Sequence, residues 1–419
     1  MLRAMYAAAA TLGTPALCMW LRRRVRSGHE LPSRVAERRG IDGGARPADM
    51  LLWLHASSVG EANSVLPVLA MLARLDPTAS LLMTTGTVNA AALLEARLPA
   101  LGLEARVTHR FAPWDVPAWV ARFLDHWQPD AVAFVESEIW PNLLAACARR
   151  RIPVMLVNAR LSARSFARWR LLGGAGRAVF AGFAGAQSQS ETDAERLRAM
   201  GVSAIPLTGN LKFAAAPLPV DAAELHRLRT MIGDRPRWLA ACTHPGEEAI
   251  ILAAHEILLR DFPGLLTIIV PRHPHRGEEV RRLAPATRRA AGEDPPEDSG
   301  IWIGDTLGEL GLYYRLVGHA FIGGSLVPMG GQNPLEAARL GCALAIGAHT
   351  ENQVQAVAML EQAGALERVG DASDVADWCA RMLRDPAARD HAAREGVAIA
   401  DRAAELPEQV ARAFLGLLG

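Results

Sequence analysis

Twice along this chain of 419 residues, a short apolar run hands over to a helical pattern and the alternation then repeats. The two series are separated by Ala214-Ala-Ala-Pro-Leu-Pro219, a linker-like stretch. In the first, Met50–His55 reads as a buried strand and Glu61–Leu75 as a helix. Ser80–Thr84 with Thr87–Leu98 and Ala131–Val135 with Pro141–Arg150 repeat the unit. Val154–Val157, Gly185–Ser188 with Thr192–Met200, and Ala204–Leu207 extend it. In the second, Trp238–Cys242 leads to Gly246–Arg260, followed by Leu265–Val270, Ile301–Ile303, His319–Ile322 and Ala343–Ile346, with a helical, alanine-rich end from Asp374. Such alternation specifies an α/β fold, a parallel sheet covered by helices on both faces. The length exceeds one ordinary core, so two domains are expected. Their boundaries read as 31–212 and 213–419, after a separate segment 1–30, with the last helices packing back on the first domain. The acidic loop Gly292–Gly300 is expected to be exposed and mobile.

The formal net charge of +1 gives no reason to expect nucleic acid. Residues 1–40 carry eight arginines against Glu30 and Glu37, a net +6 that leaves about −5 for the remainder. Ala4–Trp20 is apolar and runs straight into Leu21-Arg-Arg-Arg-Val-Arg26. That is short for a span, which needs about 20 apolar residues. It lacks the charge order and cleavage site of a secretory signal. An uncleaved anchor or in-plane helix fits, its arginines on anionic lipid and the body cytoplasmic; a first helix packed on the protein is the alternative. Five scattered cysteines with no Cys-x-x-Cys argue for reduced thiols and against a zinc ribbon. Lys212 is the only lysine among 45 basic residues.

In doubly wound sheets ligands bind beyond the carboxyl ends of strands, so the polar turns there are where chemistry is sought. The first is His55-Ala-Ser-Ser-Val-Gly-Glu61, where Glu61 at a helix start is either a base or plain helix-start stabilisation. The second, Glu136-Ser-Glu138-Ile-Trp-Pro141, sets two carboxylates against a buried strand. The third, Asn158-Ala-Arg160-Leu-Ser162-Ala-Arg164, offers arginines to a phosphate or carboxylate, or simply to solvent. In the second half, Val270-Pro-Arg272-His273-Pro-His275-Arg276 concentrates positive charge, and no metal-ligand spacing accompanies its histidines. Asp305, Thr306 and Glu336 are candidates for ribose hydroxyls, or caps. Finally, Phe321-Ile-Gly-Gly-Ser-Leu-Val-Pro-Met-Gly-Gly-Gln-Asn-Pro-Leu-Glu336 places two glycine pairs before a new helix, with Asn333 as cap and Pro334 first. Its amides could cradle a phosphate. No Gly-x-Gly-x-x-Gly follows the first strand and no P-loop exists, which excludes the common dehydrogenase and P-loop classes.

Together these describe two Rossmann-like halves, carboxylates in the first and anion-binding loops in the second. Their motifs resemble the 3-deoxy-D-manno-octulosonic acid (Kdo) transferases of lipopolysaccharide synthesis. The resemblance rests on His55–Glu61, Glu136-Ser-Glu-Ile-Trp-Pro-Asn142, Asn158-Ala-Arg-Leu-Ser162, Thr208-Gly-Asn-Leu-Lys-Phe213, Pro271-Arg-His-Pro274, Gly304-Asp-Thr306, and Gly323-Gly-Ser-Leu-Val-Pro328 with Gly330-Gly-Gln-Asn-Pro-Leu-Glu336. It implies a GT-B architecture, two Rossmann-like domains facing a cleft, on the cytoplasmic face of the inner membrane. The first domain would bind the acceptor and the second CMP-Kdo. Kdo would pass, with inversion and without metal or cofactor, to the tetraacyl disaccharide bisphosphate precursor of lipid A. The resemblance places the base on Glu61 and a second acidic site in Glu136 and Glu138. Donor contacts would be Arg272, His273, Gly323, Gly324, Ser325, Asn333, Glu336 and Lys212, and acceptor contacts Ser58, Gly60, Arg160 and Arg164. The physical reading agrees, since a sugar hydroxyl needs a positioned carboxylate and one leaving phosphate can be neutralised by arginine, histidine and amides. One departure is Thr84-Thr-Gly-Thr-Val-Asn89, where Gly86 comes early. A GT-B-like epimerase or phosphorylase, or a membrane-bound nucleotide-sugar-binding scaffold, are the competing classes.

Overall fold

The computed structural model describes residues 2–214 and 217–418; Ala215 and Ala216 of the expected linker lie outside them. The chain divides into two compact units, Met1–Ala214 with Glu405–Gly419, and Ala215–Ala404. In the first unit the order is α1 (Leu2–Leu12), α2 (Thr14–Arg26), β1 (Leu51–Ala56), α3 (Val59–Leu75), β2 (Ser80–Thr85), α4 (Val88–Ala100), β3 (Val107–Phe111), α5 (Pro117–Trp127) and β4 (Ala131–Val135). It continues with α6 (Pro141–Arg150), β5 (Val154–Ala159), α7 (Ala163–Leu171), α8 (Gly173–Phe180), β6 (Gly185–Ser188), α9 (Glu191–Met200) and β7 (Leu207–Thr208). The sheet is parallel, in the order β3-β2-β1-β4-β5-β6-β7. Every residue of β1, β4 and β5 is buried, which is why these strands read as unbroken apolar runs. One face packs on α3 and α4, joined by Leu406, Val410, Ala411 and Phe414 from the chain's end. The other packs on α5, α6 and α9. Strand order reverses between β1 and β4, opening the crevice where this fold binds ligands.

Among the described residues no single helix is long and apolar enough to cross a membrane, but Arg3–Leu12 and Thr14–Arg26 form a pair bent by 58°. Pro15 near the start of α2 lacks the N–H that would continue α1. The pair is held to the body: α1 touches α5 and α6, and Trp20 lies 4.9 Å from Trp114 between ring centroids. The arginine-rich stretch divides. Arg22, Arg23 and Arg26 are exposed. Against the expectation that the whole run faces lipid, Arg24 donates to the buried Glu30 at 3.0 Å. Further along, Arg38, 1% exposed, bonds Glu30 at 3.0 Å and the carbonyls of Thr85, Gly86 and Ala112.

The second unit comprises α10 (Ala222–Ile232), β8 (Arg237–Thr243), α11 (Glu247–Leu258), β9 (Leu266–Pro271), α12 (Gly277–Arg281), β10 (Ala286–Arg288), β11 (Gly300–Ile303) and α13 (Leu310–Leu316). There follow β12 (His319–Ile322), α14 (Leu335–Arg339), β13 (Ala343–Ile346), α15 (Val354–Gln362), β14 (Leu366–Arg368), α16 (Ala372–Arg384) and α17 (Pro386–Leu415), whose last turns belong to the first unit. Its sheet, also parallel, runs β10-β11-β9-β8-β12-β13-β14 and reverses between β8 and β12. The loop 292–300 is exposed at Gly292, Asp294, Glu297 and Asp298, as expected, and is tied to the body at two points. Asp294 pairs with Arg227 at 2.7 Å, and Trp302 donates to the Glu293 carbonyl at 3.1 Å.

Candidate active site

The crevice between β1 and β4 collects the carboxylates. Ser58 caps α3 and its hydroxyl accepts from the Glu61 amide at 3.3 Å. Glu61 reaches back, Oε2 accepting from the Ser57 amide at 2.7 Å and Oε1 from the Ser58 hydroxyl at 3.0 Å. This reciprocal capping fixes the carboxylate while leaving acceptor positions on both oxygens unused. Burial pushes the Glu61 carboxyl above the usual glutamate range. The Ser57 amide pulls it partly back, and the charges of Glu138 and Glu136 push it further up.

Across the crevice, Glu138 accepts from the Trp140 indole at 2.6 Å and lies 3.6 Å from His55 Nε2. Burial alone would raise its proton affinity; the neighbouring His55 and the Trp140 N–H outweigh that and hold it below the usual range. Glu136, just beyond β4, and Asn158, one residue before the end of β5, are left-handed at φ 58° and φ 51°, conformations costly outside glycine and found at functional turns. The buried Asn158 donates its amide to Gln187 at 2.8 Å and accepts from the Leu211 amide at 3.0 Å. That link seats the turn carrying Lys212, whose Nζ stands 2.6 Å from Glu136. Arg160 and Arg164 are exposed, and Gly60 is open at the start of α3. Gly86 donates to the Ser57 carbonyl at 3.0 Å, and a Cβ there would come within 2.7 Å of that oxygen, which explains its early position.

In the second unit the crevice between β8 and β12 brings His244 to the glycine stretch. The expectation that its amides cradle a phosphate needs correcting. The amides of Gly324, Ser325 and Leu326, at 2.7, 2.9 and 2.9 Å, donate to the fully buried Glu247 carboxylate, which also takes the His244 amide at 2.9 Å. Gly323 is required by packing, since a Cβ would meet the Cys242 carbonyl at 2.5 Å. Nor is there a strong helix start. α14 has five residues, with Pro334 rather than Asn333 as its N-cap; Asn333 instead accepts from the Leu335 amide at 3.1 Å. Asp305 is engaged by Arg288 at 2.7 Å and Thr306 by Glu309, so neither carries over as a ribose ligand. The buried Arg276 bridges Glu248 and Glu279 and is structural. What stays exposed is Arg272, His273 and His275, with the His273 ring 5.6 Å from His275 and 6.1 Å from His244. Gln332 lies 3.1 Å from His244 Nε2. Burial raises the Glu336 carboxyl, Asn333 and Arg272 only partly opposing it. Among the described residues no group of three or more histidine, cysteine or carboxylate side chains could hold a metal ion.

A family model described as 3-deoxy-D-manno-octulosonic-acid transferase (kdotransferase) matches residues 33–215. Over 387 residues the chain is 33% identical to the 3-deoxy-D-manno-octulosonic acid transferase of Bordetella pertussis, covering 90% of each. It is 34% identical over 367 residues to a probable mitochondrial enzyme of that name from Arabidopsis thaliana, covering 84% of this chain and 81% of the relative. The chain belongs to the Kdo transferases. The transferase also matches a solved UDP-GlcNAc 2-epimerase from Neisseria meningitidis, bound to UDP-GlcNAc, at TM-score 0.57 and 15% identity, over 88% of this chain and 100% of that one. That likeness speaks to the fold alone, two Rossmann-like units of the GT-B kind.

In this Kdo transferase the structure brings Ser58, Glu61, Glu136 and Glu138 together at one crevice. Lys212, expected among the donor contacts, lies in the first unit against Glu136. Residue reading missed His55 and Thr84 as site residues although both stood in quoted motifs, and it missed Glu247. A buried histidine ending the first strand was the available signal for His55; nothing local marked Glu247.

Proposed function

We propose that the chain transfers Kdo from CMP-Kdo, with inversion, to the tetraacyl disaccharide bisphosphate precursor of lipid A, with Glu61 as general base. The observation that carries this reading is the Glu61 carboxylate, fixed by two donors, raised in proton affinity and standing at the strand-order reversal. A base with an elevated pKa takes the acceptor hydroxyl proton more effectively as the new bond forms. The first unit would bind the acceptor, Arg160 and Arg164 meeting its phosphates. The second would bind CMP-Kdo, with the departing phosphate neutralised by Arg272 and His273 side chains rather than by the glycine-loop amides. The bent α1–α2 pair, exposing Met5, Leu12, Met19 and Trp20 before Arg22, Arg23 and Arg26, supports seating on the cytoplasmic face of the inner membrane.

The test incubates the purified full chain with CMP-Kdo and lipid A precursor and follows CMP release together with acceptor mass. Release matched by an acceptor gain of Kdo is expected. An isomerised sugar nucleotide without CMP release would favour epimerase chemistry instead. Glu61→Gln is expected to lower turnover by about 10²–10⁴-fold while CMP still binds, and unchanged turnover would remove Glu61 as base.

A further inference from the structure

We propose that His55 is a positioning residue for the transfer, holding Glu138 beside Glu61 through the N–H of its Nε2. The proposal rests on Glu61 being the base. His55 is 2% exposed at the end of β1, and its Nδ1 lies 2.9 Å from Thr84 Oγ1 and 3.2 Å from the Thr84 carbonyl. Thr84 Oγ1 in turn accepts from the Trp53 indole at 2.8 Å. An indole N–H can only donate, so it occupies one lone pair of Oγ1 and leaves the hydroxyl proton free for His55 Nδ1. The ionised Glu138 that faces Nε2 can only accept, and this selects the arrangement in which the Thr84 hydroxyl gives its proton to His55 Nδ1. A neutral imidazole that accepts at Nδ1 carries its proton on Nε2. If the ring is protonated, Nδ1–H turns to the Thr84 carbonyl and Nε2 still bears a proton. Both states aim an N–H from Nε2 at Glu138 Oε2, 3.6 Å away.

Among the described residues Nε2 has no hydrogen-bond partner, the Glu138 contact at 3.6 Å being too long for one. An approach of Glu138 to within about 3.2 Å would make the contact a hydrogen bond. The groups around Glu138 are His55 and Ser57 from the end of β1, Glu61 from α3, and on its own loop Trp140 and the Lys212-paired Glu136. An ionised Glu138 strengthens Glu61 as a base by charge proximity. Without His55, Glu138 loses a neighbour that holds its proton affinity down, takes up a proton at higher pH and ceases to support Glu61.

A pair of amide variants separates positioning from packing. The Gln side chain can place an N–H where Nε2 stands, whereas the shorter Asn can mimic only Nδ1. His55→Asn is expected to lower kcat about tenfold or more, with KM for CMP-Kdo unchanged and the acid limb of the rate profile moved to higher pH. His55→Gln is expected to restore kcat to within a few-fold and return the limb. Equal behaviour of the two variants, or a wild-type His55→Asn, overturns the proposal. Should His55→Asn not fold, Trp140→Phe, which removes the indole donor to Glu138, is expected to shift the limb the same way; an unmoved limb then overturns it. Failure of the base reading shows separately, as full turnover in Glu61→Gln.

Discussion

Replacing Glu247 with glutamine tests the most consequential departure from the sequence reading. The carboxylate takes four backbone donors, two on each oxygen: Ser325 and Leu326 on Oε1, Gly324 and His244 on Oε2. Glutamine keeps one oxygen and opposes an NH₂ to the other two amides, in a site with no solvent exposure. Each buried donor left without an acceptor costs about 1–3 kcal/mol, so Glu247→Gln should destabilise the second unit by about 4 kcal/mol. For a unit of this size that corresponds to a fall in melting temperature of about 10 °C. Thermal and urea unfolding, followed by the buried Trp238, Trp302 and Trp378, reads the loss, and calorimetry reads CMP affinity. CMP affinity should fall as the glycine loop loosens. A melting temperature within about 2 °C of wild type would refute the accounting. Tighter CMP binding would refute it differently, because it would mean the freed amides prefer phosphate and the carboxylate is a competitor rather than a strut.

The rate of Kdo transfer should fall as pH drops, with an acid limb above the ordinary glutamate range, since Glu61 must be ionised and burial raises its pKa; a limb at or below that range contradicts the assignment. Glu30→Gln should destabilise the first unit by about 3 kcal/mol in urea, because it leaves the buried Arg38 without its counter-charge. Burial pushes His319 down to about 3 from 6.5. The unfolded chain therefore binds the extra proton first, and stability falls as pH drops from 6.5 toward 3, by about 1.4 kcal/mol per unit from this residue. His319→Phe should flatten that slope, and an identical slope in the variant would show that the ring is not the source.

The central strands were legible because burial on both faces demands continuous apolar sequence, and Ala131–Val135 and His319–Ile322 match the structure residue for residue. The edges were not. β3 reads Val-Thr-His-Arg-Phe and is fully buried only at its ends, and β10 is three half-buried residues, so neither shows a period. Ala204–Leu207 was expected as a strand, but only Leu207–Thr208 pairs. The carboxylate turns stood out because the fold places ligands after strands. The fate of the glycine loop did not, since its amides are met by a residue 77 positions away or more, a tertiary contact with no local signature.

The first unit takes Leu406, Val410, Ala411 and Phe414 into one face of its core, packed with α3 and α4. A chain made from its N-terminus therefore cannot finish its first unit first. While the second unit is emerging, the surface awaiting these four side chains is an exposed apolar strip, the kind of feature that invites chaperones or self-association. Residues 405–419 then act as a latch on the first unit. Ribosome-stalled chains ending before residue 405 should stay protease-sensitive in α3 and α4, and chains in which residues 405–419 have emerged should become resistant.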